Sequence, residues 1–497
     1  MLKRIVAILA LTATTTALAT ACDSEDAAAK STLAWKACPA QAQGAPPRDP
    51  GQQCAEIEVP LDYRHPTQKI TVTISKISTA KPDRRRGVLL LNPGGPALPG
   101  LDMPSEIKST LPADVLDRYD LVGFDPRGVG HSTPQSCGLP DPNPLGLFPY
   151  PAVDGSTAGN VEYARTVADK CGKQKNLKYF TTANTARDLD RIRQALGEKK
   201  ISYWGQSYGT YLGTVYASLF EKNTDRVILE GNVDPTKVWS EQVALWGKGM
   251  TDRFADAAEV AIARKAGLGS TVPEVTKSYL ALVDRLDRTP AAVPGSPVKV
   301  DGRTVRNLTY GLLLRNENLP VLVQLWRAAA DLADGTLSDA DNAVLHQAFA
   351  DQPPTPGVPA DNQSTMFAAL TCGDAPWPTD LDEYARKTAA DRAAYPLTAG
   401  MPANVWPCTF WTDQPIEAPV TVNDDGPRNV LILQNRRDNA TPWEGAIGLR
   451  NALGRRAGFV GVDNGGHYVY GVGSKCADRA TVAFLTHGTL PGRDLSC

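Results

Sequence analysis

Seven short runs rich in β-branched and other apolar residues punctuate the chain: KITVTISKIS, RGVLLLNPGG, YDLVGFDPRG, KKISYWGQS, DRVILEGNV, RNVLILQNR and AGFVGVDNGG. Each is short and bounded by turn residues, which predicts a buried strand. Segments of helical pattern separate many of them. TARDLDRIRQALG is predicted to start on Thr185 as its cap and to stop at Gly197. YGTYLGTVYASLFEKN and CADRATVAFLTHG read as two further helices. Strands alternating with helices predict an α/β fold built on a mostly parallel sheet.

The alternation fails between Asp234 and Val420. PEVTKSYLALVDRL and LPVLVQLWRAAADLA are helical in pattern, and Pro-rich loops join them. A strand pattern resumes at NVLILQ. The expected arrangement is a helical cap inserted after the sixth strand. Six of the nine tryptophans fall in it: Trp239, Trp246, Trp326, Trp377, Trp406 and Trp411. Most are expected to fill the cap's own core, leaving one or two to line a pocket.

Candidate chemistry starts at Gly205-Gln206-Ser207-Tyr208-Gly209, a G-x-S-x-G. The motif alone is weak, but here a strand-like KISYW precedes it and a helix-like YGTYLGTVYASLF follows. A strand, a very tight turn and a helix lift a serine hydroxyl above the carboxyl edge of a sheet. Serine attacks only when a base takes its proton. In the order serine, acid, histidine, the base expected is His467, in the Gly-rich loop DNGGHYVYG after a strand. His346 falls inside the cap, and His487 ends a helix just before Gly488. The acid expected is Asp438 in QNRRDNATP, a few residues beyond the preceding strand. Asp463, on the same loop as His467, reads as a turn residue.

An acyl-transfer site also needs donors for an oxyanion. One is the backbone N–H of Tyr208, directly after the nucleophile. The other is expected from the turn LNPGGPALPG, at Gly95 first and Gly94 second.

Composition changes this picture little. The chain has 497 residues, 42% hydrophobic and 21% charged, with 52 basic and 54 acidic side chains. No basic block points to a nucleic acid. With no C-x-x-C and only five histidines, a metal site is not expected, and the chemistry calls for no cofactor. Lys3 and Arg4, the apolar stretch from Ile5 to Leu11 and the ending Leu18-Ala19-Thr20-Ala21-Cys22 form an export signal. Its apolar region is too short to cross a bilayer. The small residue before Cys22 resembles a lipobox, so 1–21 are expected to be removed and Cys22 to carry lipid at the outer face of the membrane; the alternative is a plain signal peptide cut near Ala21 and a secreted protein. Residues 22–37 would then be a polar tether. The other eight cysteines fall into neighbouring pairs, giving expected disulfides Cys38–Cys54, Cys137–Cys171, Cys372–Cys408 and Cys476–Cys497. The body divides into a core at 38–233, the cap at 234–420 and a return to the core at 421–497.

Together NPGGPALPG, GFDPRGVGHS, GQSYGTYLG, DNATPWEGA and CADRATVAFLTHGTLP resemble the secreted tripeptidyl aminopeptidases of actinobacteria. That family is related to proline iminopeptidase, within the α/β-hydrolase superfamily. The resemblance spans nearly the whole chain after Cys22 and includes a TAP-like C-terminal region. It implies an α/β-hydrolase fold with Ser207 as nucleophile, Asp438 as acid and His467 as base. In GFDPRGVGHS it leaves Asp125, Arg127 and Gly128 as scaffold. Gly466-His467-Tyr468 departs from the Gly-His-Gly frequent in the family, and Tyr468 is placed to narrow the pocket. QNRRDNATP likewise replaces a more usual Gly-x-x-Asp.

The implied activity is removal of short peptides, typically tripeptides, from free N-termini. Such a site needs a carboxylate for the substrate ammonium. Glu230, Asp234 and Asp374 are the candidates by position, each equally readable as a solvated or capping group. An esterase could use the same machinery, and a non-catalytic peptide-binding lipoprotein is the third reading. The partners expected are peptides, and the membrane only through lipid on Cys22.

Overall fold

The computed structural model describes residues 33–350 and 353–497. The export signal, Cys22 and the tether as far as residue 32 lie outside the described residues.

A nine-stranded sheet runs through the core. Its strands are β1 (Gln53–Asp62), β2 (His65–Ile77), β3 (Gly87–Asn92), β4 (Tyr119–Phe124), β5 (Ile201–Gln206) and β6 (Thr224–Glu230). After a hairpin of two short strands in the cap, β7 (Ala291–Ala292) and β8 (Lys299–Val300), come β9 (Val430–Arg437), β10 (Ala457–Gly465) and β11 (Leu495–Ser496). The order across the large sheet is β1-β2-β4-β3-β5-β6-β9-β10-β11. The β1–β2 and β2–β4 pairs are antiparallel, and every pair from β4 to β11 is parallel.

The central strands are short and buried on both faces, as their unbroken apolar runs require. All six residues of β3 and all six of β4 are buried. Leu89 and Leu91 point into one core layer, and Leu90 into the other. β1 is not among the expected strands. Its Ala55-Glu56-Ile57-Glu58-Val59 stretch alternates buried and exposed, the pattern of an edge strand with one wet face.

The helix before β5 is Thr182–Ala195, and its cap is Thr181, whose side chain accepts the Asn184 N–H. The start expected at Thr185 therefore falls one turn late: TTANT offers three threonines, and the first satisfies the orphan amide. The last helix, Lys475–His487, is capped by Ser474 and ends at left-handed Gly488.

Between β6 and β9 the chain forms the expected helical block, with the β7–β8 hairpin as its sheet element. Helices Trp246–Ala263, Val272–Arg288, Gly302–Leu312 and Leu319–Asp334 pack around Phe254, Tyr279 and Trp326. Trp326 stacks on Phe254 at 4.9 Å between ring centroids. The disulfides are Cys38–Cys54, Cys137–Cys171, Cys372–Cys408 and Cys476–Cys497. Four disulfides belong to a chain that matures in an oxidising compartment, outside the cytosol.

Candidate active site

Ser207 sits between the end of β5 and the helix Tyr208–Leu219, at φ 56° and ψ −127°. A positive φ at a side-chain-bearing residue costs about 1–3 kcal/mol and persists only where its surroundings enforce it. Here the two glycines of the motif allow it. A Cβ on Gly205 would lie 2.2 Å from the Gly209 carbonyl oxygen, and one on Gly209 would lie 2.7 Å from Asn92 Oδ1. The Ser207 N–H donates to the Glu230 carbonyl (2.9 Å), and its own carbonyl accepts from Thr210 N (2.8 Å) and Oγ1 (2.6 Å).

The turn after β3 lies against this elbow. A Cβ on Gly94 would stand 2.8 Å from Ser207 Cβ and 3.1 Å from Tyr208 N. The Gly94 N–H donates to Asn92 Oδ1 (3.1 Å). The Gly95 N–H, one residue on, has no acceptor among the described residues. Two amides of this turn, Gly100 and Leu101, donate to Asp125 Oδ1 at 2.9 and 3.2 Å. Burial pushes that carboxyl up to about 6. Asp125 thus fixes the glycine turn to β4. Arg127 is buried and binds Asp188 bidentately while donating to the carbonyls of Pro60, Leu61 and Tyr179. Both are scaffold.

Asp438 follows β9 by one residue and is fully buried. Its Oδ1 accepts from the amides of Ala440 (2.8 Å) and Thr441 (3.0 Å), and its Oδ2 from Thr441 Oγ1 (2.8 Å). His467 Nδ1 lies 2.9 Å from Asp438 Oδ2. An acceptor-only carboxylate requires that Nδ1 carry the proton, leaving Nε2 as the free lone pair. That is the tautomer a general base needs.

The base loop is held from several sides. Asn435 Nδ2 donates to the carbonyls on either side of His467, Gly466 (2.9 Å) and Tyr468 (2.8 Å). The His467 N–H donates to the Leu314 carbonyl in the cap (2.8 Å). The His467 ring rests on Gly231, where a Cβ would come within 2.9 Å of Cε1. Elbow and base therefore converge on one turn: Glu230 holds the Ser207 amide and Gly231 carries the His467 ring. The cap reaches the acid loop as well. Trp246 Nε1 donates to the Ala440 carbonyl (2.7 Å), Asn439 Nδ2 to the Tyr310 carbonyl (3.0 Å), and Arg437 pairs with Asp256 (2.9 Å).

Ser207, Tyr208, Gly94, Gly95, Asp438 and His467 are thus assembled around one end of the sheet. Asp463 is turned away, paired with Arg437 at 2.7 Å. The carboxylates expected to meet a substrate ammonium are not free to do so. Glu230 is 1% exposed and spends both oxygens on four protein N–H groups. Asp234 is buried, with Oδ1 accepting from Thr236 N and Oγ1. Asp374 is buried, with Thr182 N and Oγ1 and Trp239 Nε1 on its two oxygens. Burial pushes its carboxyl up to about 6. Thr182 gives its one proton to Asp374, so the Tyr208 phenol donates to Thr182 Oγ1 (2.7 Å). Asp374 therefore braces the residue after the nucleophile from behind.

Thr441 is a site residue that sequence reasoning missed. Its signal was present in D-N-A-T, the spacing at which an aspartate accepts amides and a hydroxyl from its own turn.

Residues 87–290 match the alpha/beta hydrolase fold family, and residues 395–497 match the TAP-like protein family. The chain is 32% identical over 491 residues to the tripeptidyl aminopeptidase of Streptomyces lividans, covering 95% of this chain and 87% of that protein. It belongs to that family. It is also 30% identical to serine protease Hip1 of Mycobacterium tuberculosis, with 90% of this chain and 87% of that protein covered. A third relative, carboxylesterase B of Mycobacterium tuberculosis, is 32% identical over 90% of this chain and 86% of its own length. The family's two matched regions bracket the site. The first holds Ser207 and the glycine turn, and the second holds Asp438 and His467.

Proposed function

We propose that the protein is a serine exopeptidase that removes short peptides, tripeptides foremost, from free N-termini. The observation that carries the reading is the bond from His467 Nδ1 to Asp438 in a site that also holds a strained Ser207. His467 Nε2 takes the Ser207 proton as Oγ attacks the scissile carbonyl. The Tyr208 and Gly95 amides receive the oxyanion, Gly95 because its N–H is uncommitted and Gly94's is not. His467 then protonates the leaving amine, and water releases the peptide by the same steps in reverse. The family membership supports a peptide substrate. In this reading the helical block at 234–420, whose Leu314, Trp246 and Tyr310 bond to the His467 and Asp438 loops, restricts access so that the enzyme acts at chain ends rather than inside chains.

An esterase reading has one specific support, the carboxylesterase B relative. Tripeptidyl p-nitroanilides, free and N-acetylated, assayed beside short acyl esters separate the two. The peptidase reading predicts turnover of the free tripeptidyl amide and a large loss on acetylation. Turnover of esters alone overturns it.

Cys22, outside the described residues, carries the lipid in this reading, placing the enzyme at the outer face of the membrane. The tether is shorter than the 22–37 expected, because Leu33 and Trp35 pack against the core and Lys36 exchanges backbone hydrogen bonds with Cys54 (2.8 Å each), so the folded body starts at residue 33 and not at 38.

A further inference from the structure

We propose that Glu230 is a positioning residue that sets the separation between the nucleophile's elbow and the base's loop. The inference rests on the reading of Ser207 and His467 given above. Oε2 of Glu230 faces the elbow strand, accepting from Trp204 Nε1 (3.0 Å) and Gln206 Nε2 (2.8 Å). Oε1 faces the base loop, accepting from the amides of Val469 (2.6 Å) and Tyr470 (2.7 Å), two and three residues beyond His467. The carbonyl of the same residue holds the Ser207 N–H. One buried side chain and its own peptide group therefore touch the elbow three times and the base loop twice.

The side chain suits that task. A buried carboxylate is tolerated only when its acceptors are filled, and four N–H donors fill them. Because two donors come from each side, shortening or neutralising the side chain must release one side. Trp204 and Tyr470, which donate from opposite sides, also meet edge to face at 5.1 Å. Asn435 and Leu314 also hold the base loop, yet neither reaches the elbow strand. Misplacement of reacting groups by about 1 Å can cost about 10²-fold in rate. A residue that sets this spacing should therefore act on kcat and leave substrate binding alone.

The test compares Glu230→Gln, Glu230→Asp and Ser207→Ala with wild type on a free tripeptidyl p-nitroanilide. Tm and the rate of serine labelling by a fluorophosphonate are measured alongside. Glu230→Gln keeps the length but turns an N–H₂ group toward N–H donors. Its kcat should fall about 10²-fold with KM within about threefold, and labelling should slow in parallel. Glu230→Asp keeps the charge but cannot span, so its kcat should stay low. Wild-type kcat in a folded Glu230→Gln, or full recovery in Glu230→Asp, overturns the proposal. So does a loss expressed mainly in KM, which would return Glu230 to substrate binding. Should Glu230→Gln fail to fold, Trp204→Phe removes one donor and keeps the carboxylate. Its kcat should drop several-fold at constant KM, and an unchanged kcat counts against the proposal. Activity retained by Ser207→Ala instead overturns the reading of the site on which the proposal stands.

Discussion

The backbone N–H of His467 donates to the carbonyl of Leu314, so the cap holds the base directly. The segment that supplies this carbonyl is fixed by Arg253. This buried guanidinium donates to the Leu313 carbonyl (2.9 Å) and to Asn316 Oδ1 (2.7 Å), and pairs with Asp256 (2.5 Å). Arg253, the Leu313–Asn316 turn and the His467 loop are therefore joined by direct hydrogen bonds. Arg253→Met should lower kcat at least about tenfold and Tm by several degrees, since it leaves Asp256 with one fewer partner and frees the Leu313–Asn316 turn. Steady-state kinetics with a thermal melt check this, and a variant that loses stability while keeping kcat contradicts it.

Asp438 and Thr441 act on the imidazole in different ways. Asp438→Asn replaces an acceptor by a group that can donate to Nδ1, which favours the wrong tautomer. In a serine triad this change typically costs about 10⁴-fold in kcat. Thr441→Val keeps the shape and removes only the hydroxyl that donates to Asp438 Oδ2. It should cost about tenfold, the value of one hydrogen bond to a charged group. Thr441→Ser should restore most of the loss.

Gly94 is expected to tolerate no side chain. A Cβ there would fall 2.3 Å from the Gln206 carbonyl and 2.8 Å from Ser207 Cβ, at a φ of 92°. Gly94→Ala should therefore displace the elbow and abolish fluorophosphonate labelling of Ser207 under conditions that label wild type fully. The protein should still be recovered folded.

Asp374 makes stability depend on pH in the unusual direction. Its carboxyl titrates at about 6 in the folded protein because it is buried, against about 4 in the unfolded chain. The folded state thus holds a proton that the unfolded state has lost between these values. The associated stability is fully present below about 4 and is lost as pH rises through about 6. The advantage of wild type over Asp374→Asn should be about 2 kcal/mol larger at pH 4.5 than at pH 7.5. Denaturant unfolding at the two pH values measures it. Asp125 titrates in the same direction but is common to both proteins and cancels.

Much of this architecture was legible in sequence because the core is patterned by one strong effect. Runs such as Val430-Leu431-Ile432-Leu433 are buried on both faces, and their apolar continuity declares it. The Ser207, Asp438 and His467 positions follow each from a strand end and a turn rich in Gly, Asn or Asp. The roles of Glu230, Asp234 and Asp374 did not follow. A carboxylate at a strand end reads the same whether it faces solvent or protein. The donors that settle Glu230 lie 239 and 240 residues away, at Val469 and Tyr470. β1 escaped notice because an edge strand alternates, and Pro60 interrupts its run. The β7–β8 hairpin pairs two residues with two, too few to carry a period.

In the proposed function Ser207 releases short peptides from free N-termini. Mass spectrometry of a time course on an unblocked peptide of about twelve residues tests it most directly. The expected result is successive loss of intact tripeptides from the N-terminus, absent with Ser207→Ala and absent when the N-terminus is acetylated. Single-residue release, internal cleavage, or an unchanged ladder from the Ser207→Ala protein would contradict it.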